Sequence, residues 1–424
     1  MGSVKTLIKD DSLAGKLYLP PEVDNFGVGA WQVSGRFSVG DLKELIPPVE
    51  IENKAEALAM NVGSFFEWLA DNHPDIHTCY LGMMDHDGVI TDTQKLLDRG
   101  ELSNIVVMRL AHTPESFSGG DLAKYRAALS SGELRCGVAD VESIFRNGFP
   151  LGSSTFKKIF GSMQMGRMYE GLATFEETVE GLDLIRTMVA RESLDIFPRL
   201  KELLSKSGLG TIIPNPGFVL KNPVYDTTTK FEEAGDRDIG EAEARRLSGL
   251  SDGGYDLWKE DMFPELVQAQ IDYAAECGLL NIDGKAECVA YNGMPIVTDF
   301  ACTPDENRLM IVTTFEGKEI AIPSNKEIQR AIFRREGIYD CIDEAKRKAN
   351  RAGDVGQWKG YMPAILQQRG IDLQAVAEES CQLMSYAVAE VTNRILGTQV
   401  FETQPLESWV PEFAPYASRI VREK

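Results

Sequence analysis

The chain has 424 residues, of which 43% are hydrophobic and 26% charged. That balance excludes a mainly disordered chain and suits two or three domains, or one two-lobed catalytic unit. With 44 basic against 65 acidic residues the formal charge is −21. This argues against general binding to nucleic acid or an anionic membrane, while leaving room for one small basic pocket.

No apolar run approaches the ~20 residues that span a bilayer. The start, Met1-Gly2-Ser3-Val4-Lys5, leads into Asp10-Asp11 without an apolar signal core, so a cytoplasmic protein is expected. The seven cysteines (79, 136, 277, 288, 302, 341 and 381) are scattered, odd in number and free of CxxC pairs. Reduced, zinc-free thiols are therefore expected. There are only four histidines, at 73, 77, 86 and 112. Any metal should then sit on carboxylates, which suits magnesium.

The first ~110 residues read as β-rich with one helix. Turn glycines alternate with apolar residues from Phe26 to Val39, and Leu58, Val62, Phe65, Phe66 and Leu69 form a helical stripe within 53–71. Ile105-Val106-Val107-Met108 predicts a buried strand. Residues 116–144 read as an excursion containing a short amphipathic helix, and 162–208 as a helical one. Gly208 to Gly217 is a turn-rich linker. Helical patterns return over 240–278, a hairpin follows over 279–300, and 325–396 is helical, most clearly from Leu373 to Ile395. The tail carries Pro405, Pro411 and Pro415 and should wrap the surface. No internal repeat is visible.

The hairpin carries most of the chemistry. In Asn281-Ile282-Asp283-Gly284-Lys285-Ala286-Glu287-Cys288, a strand puts Asp283, Lys285 and Glu287 on one face. Three charges on one face of an apolar segment are costly unless they meet a cleft or one another. Asn292-Gly293 marks the turn, and Ile296 to Phe300 returns. A two-residue turn pairs Glu287 with Thr298 and sends Asp299 to the other face. A three-residue loop with a glycine bulge pairs Glu287 with Asp299. Only the second is expected to bring the two carboxylates close enough to share one cation, and it is the expected register. The competing reading is a surface hairpin with a Lys285–Glu287 ion pair. Thr303-Pro304-Asp305-Glu306-Asn307-Arg308 then forms a turn that sets Arg308 at the hairpin exit. Arginine there suits bidentate phosphate or carboxylate recognition, although Asp305 could equally cap a helix.

Asp283-x-Lys285-x-Glu287, Asp299 and Thr303-Pro304-Asp305-x-x-Arg308 together resemble the core of the phosphoribosylaminoimidazole-succinocarboxamide synthase (SAICAR synthetase) family. Further elements recur in the family's order. They are Gly15-Lys16, Arg36-Phe37-Ser38-Val39-x-Asp41, Asn53-Lys54-x-Glu56-x-Leu58 and Val107-Met108-Arg109-Leu110 with Pro114-Glu115. Arg146-Asn147 with Gly152-Ser153, and Thr228-Thr229-Lys230-x-Glu232 with Asp236, complete the set. The resemblance implies an α+β, two-lobed fold: an antiparallel-sheet N-terminal lobe over 1–112, and a larger mixed, mainly helical C-terminal lobe over 113–424 with insertions near 116–144 and 162–208. ATP would lie in the cleft between.

By the same resemblance, ATP phosphorylates a carboxyaminoimidazole ribotide (CAIR) and the amine of aspartate displaces the phosphate. Glu287 and Asp299 would hold Mg2+. Lys16, Lys230 and Lys285 would meet ATP phosphates or the transferring group, and Met108 to Leu110 would bind adenine. Arg36, Ser38, Arg146, Ser153 and Arg308 would hold the substrate's phosphate and carboxylates, and Asp236 would orient substrate or a lysine. Read alone, Lys16 is a solvated strand lysine, Lys230 and Glu232 a surface ion pair, and Gly152-Ser153 a cap for the helix from Thr155. Trp31, Phe66 and Trp68 read as core.

Departures from the family pattern stand at Tyr18, Gly35, Gly235, Phe300 and Glu306-Asn307. They spare the carboxylate pair and bear on the carboxylate and amine substrates. The rival readings are the same ligase chemistry on another carboxylate or amine, and a nucleotide-binding homologue without catalysis. Small-molecule partners are expected, with no nucleic acid or membrane. The two insertions would build a homo-oligomer interface or cover the cleft.

Overall fold

The computed structural model describes residues 5–10, 12–36, 45, 50–149, 218–232, 237–324, 326–403, 406–413, 418–419 and 421–422. The helical stretch expected over 162–208 and the linker after it lie outside them, as do Ser38, Ser153 and Asp236.

Two sheets organise the described chain. The first has five strands in the order β1 (Lys5–Leu7), β2 (Gly27–Val33), β5 (Ile105–Leu110), β3 (Tyr80–Met84) and β4 (Ile90–Thr91), all antiparallel. Its inner face packs on helix α1 (Lys54–Asn72), whose predicted stripe of Leu58, Val62, Phe65, Phe66 and Leu69 is fully buried. Gly63 permits that approach: a Cβ there would meet Thr93 Oγ1 at 2.4 Å and Met83 Sδ at 2.9 Å. Helix α2 (Thr93–Asp98) starts beside it, with Asp92 accepting from Lys95 N.

The 116–144 stretch resolves into helices α3 (Pro114–Ser118) and α4 (Leu122–Ser131), followed by β6 (Cys136–Val138) and the start of β7 (Val141–Phe149). The expectation of an excursion holds for the two helices alone. The rest belongs to the second sheet, because Val141, Ser143 and Phe145 alternate inward as strand residues do. That sheet continues with β8 (Phe218–Thr229), β9 (Leu279–Tyr291), β10 (Met294–Thr298), β11 (Asn307–Phe315), β12 (Lys318–Pro323), β13 (Ser418–Arg419) and β14 (Val421–Arg422). Its main order is β13-β12-β11-β9-β7-β8-β14, with β6 and β10 also paired to β9. The β11–β12 hairpin was not foreseen, since the charges around Thr303 to Arg308 mask its onset.

Helices cover the second sheet as the sequence pattern indicates, over Glu241–Ser248, Phe263–Glu276, Ile338–Ala352 and Leu373–Leu396. The proline-bearing tail forms a helix, Leu406–Phe413, before its last strands join the sheet edges. One continuous apolar cluster links both sheets, from Phe65 and Val106 through Phe145 and Val289 to Met384. Among the described residues no helix is long and apolar enough to cross a membrane, and all seven cysteines are unpaired.

Candidate active site

The hairpin takes the two-residue register. Tyr291 pairs with Met294 and Glu287 with Thr298, which corrects the expected glycine-bulge pairing of Glu287 with Asp299. The reason is local: Asn292 and Gly293 both take positive φ, 51° and 78°. That is the backbone of a tight turn whose twist matches the flanking strands. Asp299 nevertheless reaches the same cavity as Glu287. It is the first residue past β10, and its own φ of 68° turns the chain out of the strand alternation that would have placed it opposite.

That cavity, about 280 Å³, lies where the end of β5 meets β9 and β10, with Lys5, Met108, Leu110, Lys230, Glu287 and Asp299 on its wall. Met108 and Leu110 are buried in β5, whose neighbours β2 and β3 fix its position from both sides. Phe300, a departure from the family pattern, also lines the cavity, and Lys5 lies over its ring at 4.4 Å.

Alternation along β9 puts Asp283, Lys285 and Glu287 on one face, and β7 answers it. Arg146 stands opposite Asp283, and Ile144 opposite Lys285. Glu142, two residues before Ile144, therefore comes level with Glu287. Lys285 Nζ lies 2.9 Å from Glu142 Oε1, 3.5 Å from Glu287 Oε1 and 3.2 Å from Glu306 Oε2. Lys230, just past β8, brings its Nζ to 2.5 Å from Glu287 Oε1 and 3.7 Å from Glu142 Oε1. Lys5 pairs with Asp299, and with Glu306 at 3.2 Å. Three lysines thus interleave with four carboxylates. The surface-pair readings fail here, because Glu287 is 3% exposed and Glu232 turns instead to Arg126 and Arg237.

Burial, then the charge of Asp299, pushes the Glu287 carboxyl up to about 8 despite Lys230 and Lys285. Burial opposes the charge of Asp299 too, but Lys5 and Lys230 outweigh it and hold that carboxyl below the usual range. Lys285 is held above the ordinary lysine range: burial works against its charge, and Glu306, Glu287 and Glu142 overcome it. Two carboxyls crowded into one buried site titrate apart, one driven up and the other down. Glu287 Oε1 is buried and makes no aligned hydrogen bond. Two carboxylates reaching one cavity, Glu287 from β9 and Asp299 from just past β10, fit a hard divalent cation that takes its remaining ligands from phosphate or water. Among the described residues no cluster of three or more His, Cys, Asp or Glu is arranged to hold a metal by itself.

A second cluster lies further along the same face. Asp283 is buried, pairs with Arg308 and stands 3.7 Å from Arg146. Buried Lys54 ties the preceding turn down, with its Nζ 3.1 Å from Asp305 Oδ2, so Asp305 is an ion-pair partner rather than a helix cap.

Two expected residues stand apart. Lys16 lies exposed on a single 3-10 turn, Gly15–Leu17, and is not on the cavity wall. Gly15 serves packing there, since a Cβ would collide with Asp10 O at 1.7 Å. Arg36 is exposed and pairs through its backbone with Glu50. Sequence reasoning missed Lys5, Glu142 and Glu306 in the charge cluster. Applying to 141–149 the alternation used for 281–288 would have found Glu142, two and four residues from Ile144 and Arg146. No comparable signal marks Lys5, whose strand is three residues long.

Known proteins resemble this chain. The SAICAR synthetase family model matches residues 214–348. A protein of Archaeoglobus fulgidus, provisionally named a phosphoribosylaminoimidazole-succinocarboxamide synthase, is 27% identical over 361 residues, covering 84% of this chain and 86% of that one. The phosphoribosylaminoimidazole-succinocarboxamide synthase of Thermoplasma acidophilum is 29% identical over 145 residues, 34% of this chain and 48% of that one. Among solved structures, the SAICAR synthase of Saccharomyces cerevisiae complexed with SAICAR aligns at TM-score 0.44 and 14% identity, over 89% of this chain and 91% of that one. A SAICAR synthetase in complex with ADP aligns at TM-score 0.42 and 14% identity, over 78% and 88%.

Proposed function

We propose that the chain, which the SAICAR synthetase family model matches over residues 214–348 and which is similar over most of its length to a relative named for that activity, is an ATP-dependent ligase of purine biosynthesis that joins CAIR to L-aspartate, giving SAICAR, ADP and phosphate. The observation that carries this reading is the meeting of Glu287, Asp299, Lys5 and Lys230 around one cavity bounded by β5, with Lys285 paired to Glu287 and Glu142 beside it. A carboxylate is a poor electrophile. Its oxygen must first take the γ-phosphoryl group of ATP, so that the amine can attack the acyl carbon and expel phosphate. Such a transfer asks a protein for positioning and for compensation of negative charge.

Lys230 and Lys285 supply that compensation, from just past β8 and from β9. Lys5 replaces Lys16 in the role expected of the N-terminal lysine. Met108 and Leu110 form an apolar wall for the adenine. Arg146 and Arg308, held together by Asp283, present forked donors for the ribotide's phosphate or carboxylate. Magnesium, on Glu287 and Asp299, would offset charge on the phosphates. Asp236, Ser38 and Ser153 keep the roles the resemblance implies. A division after residue 112 accords with the two sheets, and the acidic surface with small-molecule partners in the cytoplasm.

A second reading, the same chemistry with a different amine, has one specific support. Glu306 places a fourth carboxylate between Lys5 and Lys285, where an incoming dicarboxylate amine would meet repulsion. The test is ADP release with magnesium and CAIR present and the amine varied. Release that depends on aspartate supports the first reading. Faster release with an amine lacking the second carboxylate replaces it by the second.

A further inference from the structure

Helices α3 and α4 interrupt the chain between β5 and β6, and no motif in the sequence explains them. Their contact with the site runs through Arg126. Its Nε donates to Asp140 Oδ2 at 2.5 Å, and another guanidinium nitrogen lies 3.2 Å from Glu232 Oε1. Asp140 has no solvent exposure, and a carboxylate that deep is tolerated only when donors meet its oxygens. The other oxygen accepts from the backbone N–H groups of Lys230, at 3.3 Å, and Phe231, at 2.9 Å. Glu232, the next residue, is held by Arg126 and by Arg237, and Arg237 also grips Glu243 on the helix Glu241–Ser248.

We propose that Asp140, clamped by Arg126, is a positioning residue that fixes the backbone turn from which Lys230 reaches into the site, and that this clamp is what the α3–α4 excursion contributes. The proposal rests on the ligase reading for the task of Lys230, but not for its geometry. A lysine amine sits at the end of four rotatable bonds, so its placement depends on a fixed root as well as on the carboxylates at its tip. The entry to β7 serves both ends: Asp140 holds the root and Glu142, two residues on, stands beside the amine. A carboxylate serving the fold alone would have no reason to take its donors from the two residues that begin the catalytic turn.

The test uses the full chain as wild type, Asp140→Asn, Arg126→Met, Lys230→Met and the Asp140→Asn/Lys230→Met double variant, each checked for folding by circular dichroism. In ADP release, Asp140→Asn should lower kcat by about tenfold or more with KM for ATP changed by less than about threefold. Added to Lys230→Met it should cost nothing further. Losses that simply multiply, or a lowered Tm with unchanged kcat, would overturn the proposal. Independently of turnover, lysines are acylated with acetic anhydride and counted by mass spectrometry, with exposed Lys16 as the reference. The Lys230 to Lys16 rate ratio should rise about threefold or more in Asp140→Asn. An unchanged ratio in the folded variant overturns the proposal. Should Asp140→Asn fail to fold, Arg126→Met, which keeps the buried carboxylate, is read by the same ratio with the same two outcomes. If the wild type releases no ADP under any condition, the ligase reading fails, and the labelling ratio decides the positioning role alone.

Discussion

Glu67, on the helix that packs against the first sheet, and Glu287, on the central strand of the second, are both glutamates drawn out of water, and both carboxyls titrate above their ordinary range. Their partners differ. Glu67 accepts from Tyr80 Oη at 2.7 Å, from Thr93 N at 2.9 Å and from Thr93 Oγ1 at 3.1 Å. All three are neutral donors that tie a helix to a strand and to the next helix. Glu287 stands among Lys230, Lys285, Glu142 and Asp299, and one of its oxygens lacks an aligned donor. The first arrangement is complete without a ligand. The second concentrates charge that a cation and phosphates would rebalance. Burial alone does not separate a structural carboxylate from a functional one; the charge and completeness of its surroundings do.

The comparison can be broken first at the packing. Phe65→Ala, in the wholly buried stripe of α1, should cost about 3–5 kcal/mol of stability and leave kcat per folded molecule unchanged, as denaturant titration beside ADP release will show. Glu287→Ala or Asp299→Ala should do the reverse. Magnesium-dependent ADP release should fall by about 100-fold or more, with the denaturation midpoint close to that of the wild type. A variant that unfolds instead would make the charge cluster structural.

Next comes the arginine pair. Arg308→Lys should raise KM for the ribotide by about tenfold with little change in kcat, because lysine cannot present a bidentate fork to an anion; an unaltered KM would move that role elsewhere.

The smallest effect is at Glu67. Its folded carboxyl is raised by burial, so between the ordinary glutamate value and the raised one the native state holds more proton than the unfolded chain. Stability from this group is therefore present below the ordinary value and declines as pH rises through that window. Glu67→Gln keeps an acceptor for Thr93 and removes the titration. The fall of Tm with pH just above the glutamate range should flatten by the equivalent of less than about 1 kcal/mol.

Much of this molecule was legible where periodicity speaks. The α1 stripe, the buried strand at Ile105, the face shared by Asp283, Lys285 and Glu287, and the long helix from Leu373 follow from repeats of 3.6 and 2 residues along one segment. The hairpin was legible as a hairpin but not in its register, because one residue of loop length separates the two forms. The positive φ at Asp299 that brings its carboxylate round has no signature in an aspartate followed by phenylalanine. Lys5 could not be chosen over Lys16 from sequence, since each is a single lysine set among mainly apolar neighbours. Only pairing of β1 with β2, at the edge of the first sheet, carries Lys5 to Asp299.

The sequence by itself determined the strongly periodic helices and strands, which face of β9 carries charge, and which family the residues resemble. The tertiary structure alone decided which charges meet. Glu142, Lys230, Lys285 and Glu306 come from four separate stretches of chain, and a one-dimensional pattern records the direction of each side chain from its own backbone but not the neighbour it will face. That neighbour is set by strand order and register between β7, β8, β9 and β11, which are properties of the assembled sheet.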